Sequence, residues 1–277
     1  MNTVKRPWAW TVFFGILSIA YIFPILLVLI NSFKDKVYIS DNPFALPNAD
    51  SFVGLENYIR GIEQTDFFMS FLWTLIITVG STVLILFCTS MTAWWIVRVD
   101  NWVAKTLYVL FLFNMIVPFQ MVMFTLSKIA NMLKLGNPFG IWIIYLGFGA
   151  GLAVFIFTGF IKSIPLEIEE AATMDGAGPF GVFFRVILPI MKPSIVTVSI
   201  LQVMWIWNDY LLPYLVLDLK KYKTLSIAVQ YLKGGYGSVD MGAMMGTLVL
   251  AIVPIIIFYL AAQKHIIKGV VAGAVKG

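Results

Sequence analysis

The chain has 277 residues, of which 60% are hydrophobic and only 12% are charged. An ordinary soluble domain carries roughly 25% charged residues, so this chain has too few charges to cover a water-soluble fold. The net charge of +5 is small for this length and gives no reason to expect a nucleic-acid partner.

Long uncharged intervals divide the chain, and five of them exceed the roughly 20 apolar residues that cross a bilayer as a helix. A sixth interval, 193–208, is uncharged and continues past Asp209. We therefore expect an all-α integral membrane protein that forms a single transmembrane domain over residues 1–277. The predicted spans are 9–32, 68–96, 106–127, 139–161, 193–216 and 242–263.

The first interval follows Lys5 and Arg6, as the apolar core of a signal peptide would. It is longer than the roughly 7–15 residues of such a core, and no small-x-small cleavage site follows it. We interpret it as a retained first helix. Cys88 and His265 are the single cysteine and histidine, so we expect no disulfide and no metal site and assign both residues to packing or the surface.

The loop 163–190 contains a second pattern. Ser163 is a candidate N-cap, Pro165 suits a first helical turn, and acidic residues follow near the positive end of the helix dipole. Gly176 and Gly178 are candidate helix terminators. The pattern predicts a helix over 164–175 outside the membrane, with an acidic face and a small-residue patch for a partner. The patch consists of Ala171, Ala172 and Ala177.

This loop resembles the coupling loop, or EAA motif, of ATP-binding-cassette importer permeases. The matching residues are Glu170, Ala171, Ala172, Gly176, Val186, Leu188 and Pro189, and the only departure is Val186, where Ile is usual. Trp207-Asn208-Asp209 and the C-terminal run 272–277 resemble the carbohydrate class. The resemblance covers nearly the whole chain and is closest to the six-helix subunit of maltose-type permeases and to multiple-sugar and raffinose permeases.

The resemblance implies a type I importer fold, with a cytoplasmic coupling helix between the fourth and fifth spans that docks on an ATPase. The implied coupling residues are Glu170, Ala171, Ala172, Asp175, Gly176, Gly178, Leu188 and Pro189. The C-terminal tail is expected to enter the ATPase dimer through Gly273, Val275, Lys276 and Gly277. The implied partners are a second permease subunit in a heterodimer, an ATPase dimer, an extracellular or periplasmic sugar-binding protein, and an oligosaccharide.

The same resemblance orients the chain in a bacterial plasma (inner) membrane with both termini cytoplasmic. Loops 34–66, 128–139 and 218–240 then lie outside, and loop 218–240 is expected to reach the sugar-binding protein. Charge does not orient the chain, because this topology places 10 Lys and Arg residues inside and 9 outside. No GxxxxGK[ST] phosphate-binding loop is present, so we expect no cofactor here, with ATP and Mg bound by the partner, and no enzyme activity in this chain.

Polar residues inside membrane helices are candidates for the translocation path. Gln202, Trp205 and Asp209 are spaced to share one helical face, with Asn208 beside them, and Asn114 marks a similar face on the third span. Thr74, Thr78 and Ser81 form a weaker row. Hydrogen bonding between helices explains these residues as well, and Asp209 is equally consistent with a structural pairing or an outer-gate role.

Two other functional classes fit less well. A self-sufficient secondary transporter is the main alternative, but such folds usually show internal repeats and paired membrane acids. Asp209 is the only acid within the predicted spans, and no repeat is visible. An intramembrane hydrolase would need a nucleophile–base pair or metal ligands, which one His, one Cys and one membrane acid do not supply.

Overall fold

The computed structural model describes residues 8–232 and 239–274, with side chains up to residue 264. Over these residues the regular structure is helical, and an isolated antiparallel bridge pairs Lys34 with Phe52. The helices are α1 Trp8–Asn31, α2 Lys36–Asp41, α3 Glu56–Thr65, α4 Phe67–Arg98, α5 Trp102–Ile116, α6 Phe119–Met132, α7 Pro138–Ile161, α8 Leu166–Met174, α9 Pro179–Val182, α10 Leu188–Ile190, α11 Lys192–Asn208, α12 Leu211–Val216, α13 Leu225–Gln230 and α14 Met241–Ala274. A π-helical segment, Phe183–Ile187, joins α9 to α10.

Among the described residues, four helices are long and apolar enough to cross a membrane: Trp8–Asn31, Phe67–Arg98, Pro138–Ile161 and Met241–Lys264. Two bent pairs reach the same length, Trp102–Ile116 with Phe119–Met132 and Pro179–Ile190 with Lys192–Asn208. The bends are 105° and 75°, so length and composition give four candidate spans among these residues, or up to six if each pair crosses once.

Two predicted spans are not continuous helices, which corrects our expectation. The span 106–127 breaks after Ile116, because Pro118 has no N–H to donate and holds Val117 in an extended conformation. The span 193–216 breaks at Asp209, whose extended backbone ends α11 before α12 begins.

Contacts divide the chain into two compact units, Met1–Phe68 with Ala228–Pro254, and Met69–Ile227 with Ile255–Gly277. In the first unit, the fully buried Asn57 of α3 donates its amide N–H groups to the carbonyls of Ser32 and Lys34, at 2.9 and 2.8 Å. A Cβ at Gly242 of α14 would collide with the Asn57 amide, so glycine allows these two helices to approach closely.

The core of the second unit is built around α7. Its small residues let neighbouring backbones approach: a Cβ on Gly151 would lie 2.7 Å from the Phe111 carbonyl oxygen of α5. A Cβ on Gly149 would lie 2.6 Å from Cδ1 of Ile85 in α4. Because the helices touch at these glycines, larger side chains pack above and below the contacts. The fully buried ones include Ile77, Ile85, Ile141, Tyr145, Phe157, Phe183 and Ile187.

Candidate functional site: the loop 163–190 and the polar residues of α5 and α11

The loop 163–190 begins with a turn rather than with the predicted N-cap. The hydroxyl of Ser163 donates to the Phe160 carbonyl at 2.7 Å, and Pro165 is the residue that precedes the helix. Because proline disfavours helical geometry in the residue before it, the helix starts at Leu166 and not at Ile164. The N-cap assigned to Ser163 was therefore wrong.

The end of α8 is a Schellman motif built on Gly176. The N–H of Gly176 donates to the Thr173 carbonyl and the N–H of Ala177 to the Ala172 carbonyl, each at 3.0 Å. Gly176 has a φ of +86°, in the left-handed region that favours glycine. Gly178 has a φ of −71°, which any residue can adopt, and is the residue that precedes α9. The two glycines thus have different roles.

A buried acidic residue, Glu169, ties α8 to the end of α4. Both Nε and Nη2 of Arg98 lie 2.7 Å from its Oε1, and Nε1 of Trp94 donates to its Oε2 at 2.9 Å. Nη2 of Arg98 also donates to the Ile164 carbonyl at 2.9 Å. This cluster, Trp94, Arg98, Ile164 and Glu169, is called the Arg98–Glu169 clasp below. It holds both the turn before α8 and the middle of that helix.

The outward face of the loop combines apolar and acidic groups. Met174 is 89% exposed and Phe180 is 70% exposed, and Glu170 and Ala171 are also exposed. Ala172 and Ala177 instead pack against the hydrophobic core, so the predicted three-alanine patch for a partner is reduced to Ala171. Exposed apolar side chains this large, next to a carboxylate, are typical of a surface that a partner covers.

The remaining predicted coupling residues surround this face. Asp175 is the C-cap of α8. Pro189 lies in α10 and has no N–H to donate to a helical hydrogen bond, and the segment just before α10, Phe183–Ile187, is π-helical. Leu188 is half-buried against the core. The chain then bends by 75° near Met191 into α11.

The polar residues of α11 do not share one face, which corrects our prediction. Gln202 is 2% exposed and its Nε2 donates to the Gly149 carbonyl of α7 at 3.1 Å. Trp205 is 41% exposed and lies beside Leu201, which is 43% exposed. Asn208 continues this exposed face, and its amide donates to the Met204 carbonyl at 2.7 Å. Gln202 therefore packs within the subunit, whereas Trp205 and Asn208 present a surface.

Asp209 joins three elements at the break after α11. One carboxyl oxygen accepts the hydroxyl hydrogen of Tyr145 at 3.0 Å, and the other accepts the N–H of Leu211 at 3.0 Å, which caps α12. The Tyr145 ring in turn meets Trp205 edge to face at a centroid distance of 5.4 Å. Asp209 thus has a structural pairing, one of the alternatives that the sequence left open.

Asn114 of α5 donates to the Gly147 carbonyl of α7 at 2.9 Å. The two residues line a shallow hollow with Leu107, Leu110 and Phe111. Gly273 lies in α14, whereas Val275, Lys276 and Gly277 lie outside the described residues. The part of the chain that the structure describes contains no group of three His, Cys, Asp or Glu side chains suited to hold a metal.

Sequence reasoning missed Arg98, Trp94 and Tyr145 and assigned Glu169 no specific role. Their partners are distant along the chain, 71 residues from Arg98 to Glu169 and 64 from Tyr145 to Asp209. A weak signal existed, because Arg98 immediately follows an uncharged span and Glu169 precedes the exposed Glu170.

Comparison with known proteins gives a consistent result. The family described as "Binding-protein-dependent transport system inner membrane component" matches residues 85–271. The probable starch degradation products transport system permease protein of Thermoanaerobacterium thermosulfurigenes is 37% identical over 265 residues, covering 95% of each chain. The multiple sugar-binding transport system permease protein of Streptococcus mutans is 32% identical, covering 94% of this chain and 93% of that protein.

A solved structure has a similar fold. It is a bacterial ABC transporter involved in the import of the acidic polysaccharide alginate, and one of its chains matches with a TM-score of 0.79. The match covers 92% of this chain and 94% of that one at 22% sequence identity, so the likeness concerns the fold alone.

Proposed function

The chain belongs to the family of binding-protein-dependent transport system inner membrane components, and from this premise we propose that it forms half of the channel of an ATP-driven sugar importer. The observation that carries the proposal is the loop 163–190, which presents a partner-type surface while its other side is held by the Arg98–Glu169 clasp. An oligosaccharide is the proposed cargo, because the relatives carry the names of starch-product and multiple-sugar transport systems.

Two earlier predictions are confirmed by the family and its relatives. The resemblance to carbohydrate-class permeases agrees with the sugar transport systems to which the relatives belong. The relatives are described as permease proteins, so the chain is a membrane permease component rather than an enzyme.

We propose six crossings with both termini in the cytoplasm, and contacts in the second unit support four of them. Arg98 at the end of α4 reaches Ile164 after α7, and Nζ of Lys162 lies 5.6 Å from the ring centre of Tyr108 in α5. These sites would form the cytoplasmic ends. On the other side, the Asp218 N–H donates to the Gly136 carbonyl at 3.0 Å.

Contacts within the first unit support the remaining two crossings. The amide of Asn57 in α3 contacts the carbonyl of Ser32 just after α1, and Arg60 lies 3.8 Å from Asp240 just before α14. The end of α1 and the start of α14 therefore lie near the same short helix. With one crossing each, the N-terminus and the end of α14 would share the cytoplasmic side of a bacterial inner membrane.

The loop 163–190 is the proposed docking element for a separate ATPase, which would bind ATP and Mg. Glu170, Ala171 and the exposed Met174 and Phe180 are the proposed contacts, and Gly176 sets the turn between them. The remaining members of the predicted coupling set adjoin this surface: Ala172, Asp175, Gly178, Leu188 and Pro189. The C-terminal residues 273–277 are proposed as a second contact with the ATPase.

A heterodimer with a second permease subunit would place the translocation path along exposed polar faces of this chain. Trp205 and Asn208 are the proposed contributors on α11, since both are exposed and an indole can stack on the apolar face of a sugar ring. Asn114 is the corresponding candidate on α5. Gln202 and Asp209 would position this face through their bonds to Gly149 and Tyr145. An extracellular or periplasmic binding protein would deliver the sugar.

The experiment compares Glu170→Lys with Gln230→Lys, which adds a charge at an exposed position outside the loop. The chain is co-expressed with the second permease and the ATPase of its transport system, and ATPase co-purification and sugar uptake are measured. Glu170→Lys is expected to lose both, while Gln230→Lys keeps ATPase co-purification. Normal recruitment and uptake by Glu170→Lys would refute the docking assignment.

A further inference from the structure

The loop 163–190 is connected to the rest of the chain by two bends. At one end, residues 162–165 turn between α7 and α8, and at the other the chain bends by 75° near Met191 before α11. Bends in the backbone transmit displacement poorly, because a few φ and ψ rotations can absorb it. The lateral contacts of the loop are therefore the firmer connection.

Those lateral contacts come from α4. Besides the Arg98–Glu169 clasp, the Trp94 ring lies 5.5 Å from the Phe183 ring, and the Phe87 ring stacks on Phe184 at 6.3 Å. The α4 helix thus contacts both the loop helix α8 and the π-helical segment Phe183–Ile187. Glu169 is buried and Arg98 is half-buried, so water has limited access to the ion pair.

The other end of α4 holds the segment 218–227. The Thr74 hydroxyl oxygen accepts the buried N–H of Leu225 at 2.8 Å. The Trp73 ring meets the Tyr222 ring edge to face at 5.0 Å. Phe71 makes a similar contact at 5.8 Å with Trp207, which lies in α11 and outside the segment. Between Thr74 and Arg98 the helix is unbroken and contains no proline, a length of about 36 Å at 1.5 Å per residue.

We propose that α4 is a rigid link that carries displacement of the loop 163–190 to the segment 218–227 on the opposite side of the membrane, with Arg98 and Glu169 as the positioning residues. This inference rests on the proposed function, in which an ATPase moves the loop. Nucleotide binding would shift loop, α4 and outer segment together, so the segment that faces a binding protein would sense the state of the ATPase.

The test removes the clasp without leaving a buried charge. Arg98→Met/Glu169→Met replaces both partners with apolar side chains of similar length, a change that folded proteins often tolerate. The matched control is Asp100→Met/Lys105→Met, which removes an exposed ion pair of 2.6 Å near the same end of α4. Spin labels are placed on cysteines at Glu167 of α8 and at Lys221, both exposed and neither among the proposed ATPase contacts, in a Cys88→Ser background.

The label-to-label distance is measured in the complex with the second permease and the ATPase, without nucleotide and with ATP plus vanadate. In the parent and the control, we expect one distance distribution that nucleotide does not change. The clasp variant should co-purify the ATPase within about twofold of the parent, since the exposed contacts remain, but its distance should change with nucleotide. Failure of the parent to recruit an ATPase would overturn the proposed function itself. Normal recruitment with an unchanged distance in the clasp variant, or a changing distance in the parent, would overturn the rigid link alone.

Discussion

The hydroxyl of Tyr145 donates a 3.0 Å hydrogen bond to Asp209 and so connects α7 to the point where α11 ends. The same carboxyl group caps α12 through the Leu211 N–H. One buried tyrosine therefore fixes a backbone break that contains no proline. The exposed Trp205, whose ring rests on that of Tyr145, depends on this arrangement for its position.

Tyr145→Phe should keep the packing and lose this hydrogen bond. Such bonds between membrane helices contribute about 1 kcal/mol, so we expect a modest drop in the thermal unfolding midpoint of the purified protein. Tyr214→Phe, at an exposed tyrosine on α12, is the control and should leave the midpoint unchanged. Equal midpoints for both variants would mean that the Tyr145–Asp209 bond contributes nothing measurable.

Gly176→Ala and Gly178→Ala form a matched pair in the loop 163–190. A Cβ at either position meets no atom within 4 Å, so the two substitutions differ in backbone conformation alone. The positive φ of Gly176 should make its alanine variant roughly 1–2 kcal/mol less favourable, because L-residues resist left-handed geometry. The thermal unfolding midpoint of the purified protein should fall for Gly176→Ala and remain at the parent level for Gly178→Ala. The reverse order would contradict the Schellman turn.

Gly149→Ala should disturb the contact between α4, α7 and α11. Its Cβ would lie 2.6 Å from Ile85 and 2.9 Å from Oε1 of Gln202, and overpacking of this kind costs about 1–3 kcal/mol. Gly159→Ala, further along the same helix, meets open space and should be neutral. Thermal unfolding of the two variants measures the difference, and a stable Gly149→Ala protein would show that these helices can separate at little cost.

Cysteine labelling tests the revised orientation of α11. In a Cys88→Ser background, cysteines at 205 and 208 should react with a charged aqueous thiol reagent in the assembled complex. Cysteines at 198 and 202 should not react, because both native side chains are buried within the subunit. Reaction at both 202 and 205 would restore the shared face that we first predicted.

The helical class and the position of the loop helix could be predicted from the sequence, because uncharged intervals and the glycines and prolines that end or begin helices are local signals. Gly176 was identified as a helix terminator on that basis, and its positive φ confirms the reasoning. The break at Pro118 was underestimated, since membrane helices often tolerate proline with only a kink.

The orientation of α11 could not be predicted reliably. A face defined by polar spacing alone treats Gln202 and Trp205 as equivalent, although they lie about 60° apart around a helix. Which of them turns inward depends on Gly149, whose missing side chain makes room for the Gln202 amide. Such complementarity between distant segments is a tertiary property, and so are the partners of Arg98 and Asp209.

The Arg98–Glu169 clasp also has a consequence for biosynthesis. Its two charged residues are 71 positions apart, so Arg98 leaves the ribosome well before its partner exists. At roughly 5–20 residues per second, the guanidinium waits several seconds for its carboxylate. During that interval α4 cannot take its final place against the loop, and a nascent chain that stalls before residue 169 exposes an unmatched cation. The ion pair therefore forms only after translation has passed residue 169, and the packing of the loop against α4 is completed only then.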